Sequence, residues 1–475
     1  MLFLSSEFIV FFAVVFVLYW AMERVSATAQ NLVLLAGGLF FYGWADLRFL
    51  ALLTLSAATN YGLGLAIEDT KSEPRRRVWF WFGMVFNFGL LAYFKYFGFF
   101  YDSFVDLLNQ FGGHSEHLSL KIALPLGISF FTFQVAGYLI DVFNGGIEVC
   151  RKPVHFFTYV FHFPKLLSGP VERAQAFLPR LTLVRAFDRA LVTDGARQIL
   201  WGIFAKAVIA DNLAPLVDRV HADIPGSGGS TLLLAAPLYL IQLFADFSGY
   251  SNMAIGTSKM LGIPLAINFR GPLFVANISE FWRKWHISLT SWMMDYVFTP
   301  ISFLLRDKGR VGMVIAIFIT FLAVGIWHGA NWTFMAFGLV QGVYFLPLVL
   351  SGKVNVTSRK DRWWQQVPAM LGMFVLMSLT FVLMRATDLS AAWMYMQGIP
   401  NASLFETPDI DIWTIFIPLF VFVGMEWYTR GMDHALQTWA TERHWFFRWT
   451  SYGLLITLIL LSMSTQEAGF IYFQF

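Results

Sequence analysis

Long apolar runs bounded by charged clusters dominate this chain. They fall at 2–20, 31–45, 48–67, 78–100, 122–143, 198–218, 232–254, 311–328, 332–350, 367–385, 412–429 and 449–464. A helix rising about 1.5 Å per residue needs about 20 such residues to cross a hydrocarbon core of about 30 Å. The pattern therefore predicts about twelve crossings in an all-α, polytopic membrane helical bundle. The second run is short and the 44–48 link is tight, so that pair is the least regular. No soluble domain, long polar linker or internal repeat interrupts the series, and a single transmembrane domain over 1–475 is expected.

Two segments depart from the pattern. Residues 154–170 (VHFFTYVFHFPKLLSGP) are apolar but broken by His155, His162, Pro164, Lys165 and Pro170. Breaks of that kind suit a re-entrant segment buried in protein rather than a lipid-facing span. Residues 278–298 (ISEFWRKWHISLTSWMMDYVF) read as an amphipathic helix. At 100° per residue Ile278, Phe281, Trp282, Trp285, Leu289, Trp292, Met293 and Tyr296 share one face, with Glu280, Arg283, Lys284, Ser291 and Asp295 around the other. Such a helix lies in the membrane interface or docks against the bundle. His286 falls about 40° from Trp282 on that wheel, at the edge of the apolar face and pointing toward the bundle.

Composition agrees with the pattern. Hydrophobic residues make up 57% and charged residues only 13%, with 52 Phe and 18 Trp. A water-soluble domain has no means of hiding that much apolar surface, and disorder and nucleic-acid binding are excluded for the same reason. The net charge of +3 hides an uneven distribution. If the twelve runs cross, 27 of the 33 Lys and Arg lie in loops on one side, the side that stays cytoplasmic. Both termini then face outward, as does the acidic 386–411 loop with Asp388, Glu406, Asp409 and Asp411. No Lys or Arg precedes the first apolar run, which reads as a retained crossing rather than a signal peptide. One cysteine, Cys150, allows no disulfide within the chain and no cysteine-based metal site.

The candidate chemistry centres on histidine. His328, in VGIWHGANWTF, sits at a crossing end beside Gly325, Gly329 and Ala330. An ionisable residue at membrane depth suggests function, and small neighbours leave room for a ligand; the competing reading is a histidine capping a helix end. His286 on its own is as readily a packed core histidine. Lys95 and Lys206 fall inside crossings and are expected to snorkel or to pair with a carboxylate. Asp246, near Ser248, Ser251 and Asn252, either lines a cavity or bonds neighbouring helices. There is no HExxH pair, GxSxG elbow, Walker A loop or HxxxxD pattern. A histidine-centred membrane site remains, with neither a metal set nor a nucleotide motif. A transporter or export channel is the alternative from another class, but the paired broken repeats common in transporters are missing.

Several motifs give a specific resemblance. They are FYGWADLRFL (41–50), PLGISFFTFQ (125–134), YLIDVF (138–143), FPKLLSGPVER (163–173), FADFSGYSNMAIG (244–256), NFRGPLF (268–274), SEFWRKWHISLTSWMMDYVFTP (279–300), WHGANWTF (327–334) and FIYFQF (470–475). In order and spacing the chain resembles the membrane-bound O-acyltransferase (MBOAT) family, in the branch that contains the bacterial alginate O-acetyltransferases and the D-alanyl-lipoteichoic acid acyltransferases. It departs at FPKLLSGP, where the family pattern is nearer FPQLIAGP, and at Asn331 in the WHGA box. The resemblance implies the MBOAT helical fold, His328 as the catalytic histidine and His286 as a second essential one. As catalyst, His328 is either a general base or a transient acyl carrier. Donor-binding roles fall to Arg283, Lys284, Trp285 and Asn331. The implied donor is a cytoplasmic thioester, most simply acetyl-CoA as co-substrate, with no bound cofactor and no metal. The implied acceptor is an exopolysaccharide, alginate first, reached with a periplasmic acetyltransferase-type partner from a bacterial inner membrane. Cellulose or peptidoglycan O-acetylation, or D-alanyl transfer to teichoic acid, are sister roles.

Overall fold

The computed structural model describes residues 1–112, 122–167, 169–352, 363–438, 444–463, 469 and 471. Among these residues every regular element is a helix. They form two compact units, Met1–Gly195 with Ala254–Ala266, and Ala196–Met253 with Ile267–Phe475.

The first unit contains α1 (Ser6–Ala21), α2 (Ala27–Gly43), α3 (Leu47–Asp69), α4 (Glu73–Leu91), α5 (Phe97–Gln110), α6 (Ile128–Phe143), α7 (Pro153–Phe161), α8 (Phe163–Leu166) and α9 (Ala174–Phe177). Short polar side chains start several of these helices by accepting from otherwise orphaned backbone N–H groups: Ser5 before α1, Ser26 before α2 and Asp46 before α3. Helices α4 and α5 are continuous through a π-helical turn at Ala92–Tyr96 that carries Lys95. Asn60 on α3 and Asn87 on α4 exchange side-chain hydrogen bonds of 2.9 and 2.7 Å, which satisfies both amides away from water. Residues 153–166 form two short buried helices separated at His162, whose Nε2 lies 2.7 Å from Ser258 Oγ. Lys165 is buried too, its Nζ 4.1 Å from the Tyr159 ring centre and 4.5 Å from that of Phe177. Ser168, inside the expected re-entrant segment, lies outside the described residues.

The remaining helices are α10 (Arg189–Ile203), α11 (Asp211–Ala222), α12 (Gly229–Met260), α13 (Ile278–Lys284), α14 (Ile287–Met293), α15 (Thr299–Leu304), α16 (Gly309–His328), α17 (Trp332–Leu350), α18 (Trp363–Arg385), α19 (Leu389–Gly398), α20 (Phe416–Tyr428) and α21 (Trp445–Ser462). Most of them belong to the second unit. Its tightest packing is α16 against α17. A Cβ on Gly325 would overlap the Phe334 carbonyl, and one on Gly338 the Phe321 carbonyl, so these glycines set how closely the two backbones approach.

All twelve apolar runs coincide with helices. Eight lie in helices long and apolar enough to cross a membrane, and four lie in helices of 13 to 17 residues. The 386–411 loop contains α19, started by Asp388 accepting from Ala391 N. One expectation is corrected. The single helix over 278–298 is instead α13 and α14, broken at Trp285–His286 and followed by a π-helical turn at Met294–Phe298. The face assignment survives the break: Ile278, Phe281, Trp282, Trp285, Leu289, Trp292 and Met293 are buried, while Arg283, Ser291 and Asp295 are exposed.

Candidate functional site

The break in the amphipathic segment has a local cause. Asn268, on the stretch before α13, holds both sides of it. The Arg270 N–H donates to Lys284 O at 3.1 Å and the Ile287 N–H donates to Asn268 O at 2.9 Å, so two extended-chain bonds bracket residues 285–286. The Ser288 hydroxyl donates to Asn268 Oδ1 at 2.6 Å, and Asn268 Nδ2 donates to Ser251 Oγ on α12 at 3.0 Å. Between these bonds His286 takes a left-handed backbone, φ +43° and ψ +54°, the only positive φ among the described non-glycine residues. That conformation costs a residue with a Cβ on the order of 1–2 kcal/mol. The clamp places the His286 imidazole, fully buried, edge-on to Phe247 at 4.6 Å between ring centres and 5.4 Å from the Trp327 ring.

His328 reaches the same indole from the other element. It is the last residue of α16 and 2% exposed, with its ring centre 5.2 Å from that of Trp327 and 6.2 Å from that of Phe337. The chain then turns extended at Gly329, where a Cβ would strike the Phe334 ring. Two buried imidazoles thus flank one indole. The His286 imidazolium is disfavoured by burial first and by nearby His328 second, which holds its pKa well below the usual histidine value. His286 is neutral at physiological pH, with one ring nitrogen able to donate and the other to accept.

Two cavities lie near the C-terminal end of α16, one along the helix and one just past its last residue. One, of about 210 Å³, is lined by Ser279, Trp282, Arg283, Thr290, Thr320 and Val324, and Val324 is one turn before His328. The second, of about 350 Å³, is lined by Asp218, Tyr239, Gln242, Asn331, Arg385 and Thr387, among others, together with Ala330 two residues past His328. The expected donor-binding residues separate accordingly. Arg283 lines the first cavity. Lys284 is paired with Glu280 at 2.8 Å. Trp285 is buried, stacked on Phe281 at 5.3 Å and against Phe381 at 5.1 Å. Asn331 is not brought to Arg283: its Oδ1 accepts from Thr333 N to start α17 and its Nδ2 donates to Thr387 O, at the second cavity.

Lys206, Asp211 and Asp246 form a structural set. Lys206 Nζ lies 2.7 Å from Asp211 Oδ1 and 2.7 Å from Asp246 Oδ1, all three side chains at most 4% exposed. Asp246 Oδ2 also accepts from Ile471 N at 2.9 Å. Asp246 therefore bonds neighbouring elements, one of its two sequence readings, and Lys206 pairs as expected. Sequence reasoning missed Asn268, Phe247, Trp327 and Gln341, which accepts from Trp282 Nε1 at 3.1 Å. The one available signal for the clamp was NFRGPLF standing just before an apolar helix.

Comparison with known proteins gives the family. Residues 152–351 match the profile of the MBOAT, membrane-bound O-acyltransferase family. The chain is 34% identical to "Probable alginate O-acetylase AlgI" of Azotobacter vinelandii over 420 residues, 87% of this chain and 79% of the relative. It is 34% identical to the protein of the same name from Pseudomonas aeruginosa, over 86% of this chain and 77% of the relative. A "Peptidoglycan O-acetyltransferase" of Helicobacter pylori is 31% identical over 78% of this chain and 73% of the relative. With its long apolar helices and this similarity along most of its length, the chain is a polytopic membrane O-acyltransferase and belongs to the membrane-bound O-acyltransferase family.

Proposed function

We propose that this protein carries an acetyl group from a cytoplasmic thioester, acetyl-CoA, through the inner membrane for O-acetylation of an exopolysaccharide, alginate in the first instance. A periplasmic partner presents the polymer. The observation that carries the reading is the pair of buried imidazoles, His286 and His328, on either side of Trp327, with one cavity along α16 and another just past its end.

In this reading the thioester enters beside Arg283, whose exposed cationic head attracts the polyanionic nucleotide end of the donor. His328 acts as general base, taking the proton of the acceptor hydroxyl as its oxygen attacks the thioester carbonyl carbon. Neutral His286 donates a hydrogen bond to the carbonyl oxygen as charge gathers there. The carbon–sulfur bond of the tetrahedral intermediate then breaks, and the His328 imidazolium returns the proton to the departing thiolate. Acetyl ester and free thiol leave on opposite sides. Burial of both histidines keeps water from the thioester.

The test is acetyl transfer from radiolabelled acetyl-CoA in proteoliposomes. His328→Ala is expected to cut transfer at least 10²-fold while leaving the protein folded, since one general base contributes about 10²–10⁴. Normal transfer by that variant sinks the reading. Parallel reactions with cellulose and peptidoglycan fragments, and with a D-alanyl carrier protein as donor, separate the sister roles.

A further inference from the structure

The second cavity holds polar groups that the mechanism above leaves without a task. Tyr239 and Gln242 stand three residues apart on α12, and so on one face of it. Both line the cavity; Tyr239 is fully buried and Gln242 is 5% exposed. Neither Tyr239 Oη nor Gln242 Oε1 has a hydrogen-bond partner among the described residues. Buried polar atoms are nearly always paired, and leaving one unpaired is costly. Two residues that carry such atoms line one cavity, and together they mark a place for a ligand that supplies the missing bonds.

The rest of the lining indicates which ligand. Arg385 is already paired with Asp218 at 2.7 Å, so the cavity presents no uncompensated charge from that pair. Asn331 and Thr387 add further polar groups. A volume of about 350 Å³ takes one sugar ring, not a length of polymer. An uncharged lining with one unpaired donor and one unpaired acceptor, Tyr239 Oη and Gln242 Oε1, suits a ring bearing several hydroxyls. Ala330 and Asn331, which line this cavity, lie two and three residues past His328.

We propose that Tyr239 and Gln242 bind the acceptor, a single sugar unit, through its hydroxyls on the side of His328 away from the thioester. The Tyr239 hydroxyl donates to a sugar oxygen and Gln242 Oε1 accepts from a sugar hydroxyl. This inference rests on the acyl-transfer reading given above and names its acceptor site.

The test uses the full-length protein and tetramannuronate as probe. Equilibrium dialysis is expected to show binding to the wild type and to His328→Ala alike, weakened at least tenfold by Tyr239→Phe or Gln242→Leu. In transfer assays the same two variants raise the KM for the probe at least tenfold, with the KM for acetyl-CoA held within twofold. Tyr239→Phe removes a buried hydroxyl that has no partner among the described residues, so its thermal midpoint stays level or rises. The proposal is overturned by absence of probe binding to the wild type, by equal binding to all variants, or by a lowered midpoint with parallel loss of affinity for the probe and for acetyl-CoA. It is overturned equally if N-acetylserine methylamide is acetylated with a KM that depends on Tyr239 while the sugar probe's does not. Transfer that survives His328→Ala would defeat the parent reading alone, because the binding measurement does not need catalysis.

Discussion

His286 combines two properties that substitution separates. Its backbone is left-handed and its ring is packed edge-on between Phe247 and Trp327. Glycine occupies φ +43° at little cost, whereas alanine keeps the Cβ clash. Both replacements remove the imidazole and its packing, so the difference between them reports the backbone alone. His286→Gly is therefore expected to be more stable than His286→Ala by about 1 kcal/mol, the reverse of their order within a helix. Denaturation of the two variants in detergent measures this. Alanine proving the more stable would mean that Asn268 does not hold the turn open. If the ring matters to the chemistry, both variants lose transfer together.

At the scale of elements, the site depends on how closely α16 and α17 approach. Gly325 lies one turn before His328 and its Cα faces the Phe334 carbonyl. Alanine at 325 must push α17 away or tilt the end of α16, and overpacking of this kind costs about 1–3 kcal/mol. Gly325→Ala is expected to lower the thermal midpoint and to reduce transfer more steeply than binding of donor, because His328 moves with the helix end. Gly372, inside α18 with open space around it, provides the control: Gly372→Ala should leave transfer unchanged and hold or raise the midpoint. The same scale shows what was legible in the chain. The helices, the buried face of 278–293, the pairing of Lys206 and the glycine-rich surroundings of His328 follow from hydropathy and residue size, which act locally. The break at His286 does not, because it is imposed by Asn268, 18 positions away, whose bonds override a helical pattern that is intact on either side. The neighbours of Asn331 were illegible for a related reason: as the cap of α17 it sits beside Thr387, a residue distant in sequence.

For the whole molecule the remaining question is which way the chain faces, since the proposed chemistry needs its donor cavity on the cytoplasmic side. Twenty-seven of 33 Lys and Arg fall in loops on one side of the expected crossings, and basic loops resist translocation. Cys150, the single cysteine, lies in one of those loops and is half-buried, and burial raises its thiol pKa, so it is a slow but unique reporter. Glu406, exposed in the acidic segment after α19, is a reporter for the other side. A membrane-impermeant maleimide applied to intact cells at pH 8.5 is expected to label Glu406→Cys in a Cys150→Ala background. Native Cys150 is expected to label only after the cells are permeabilised. Labelling of Cys150 in intact cells, with Glu406→Cys protected, would invert the topology. Arg283 lies in another of the basic loops, so inversion would carry the Arg283 cavity outward, away from cytoplasmic thioesters. The direction of acyl transfer proposed here would then fail even if both histidines proved essential.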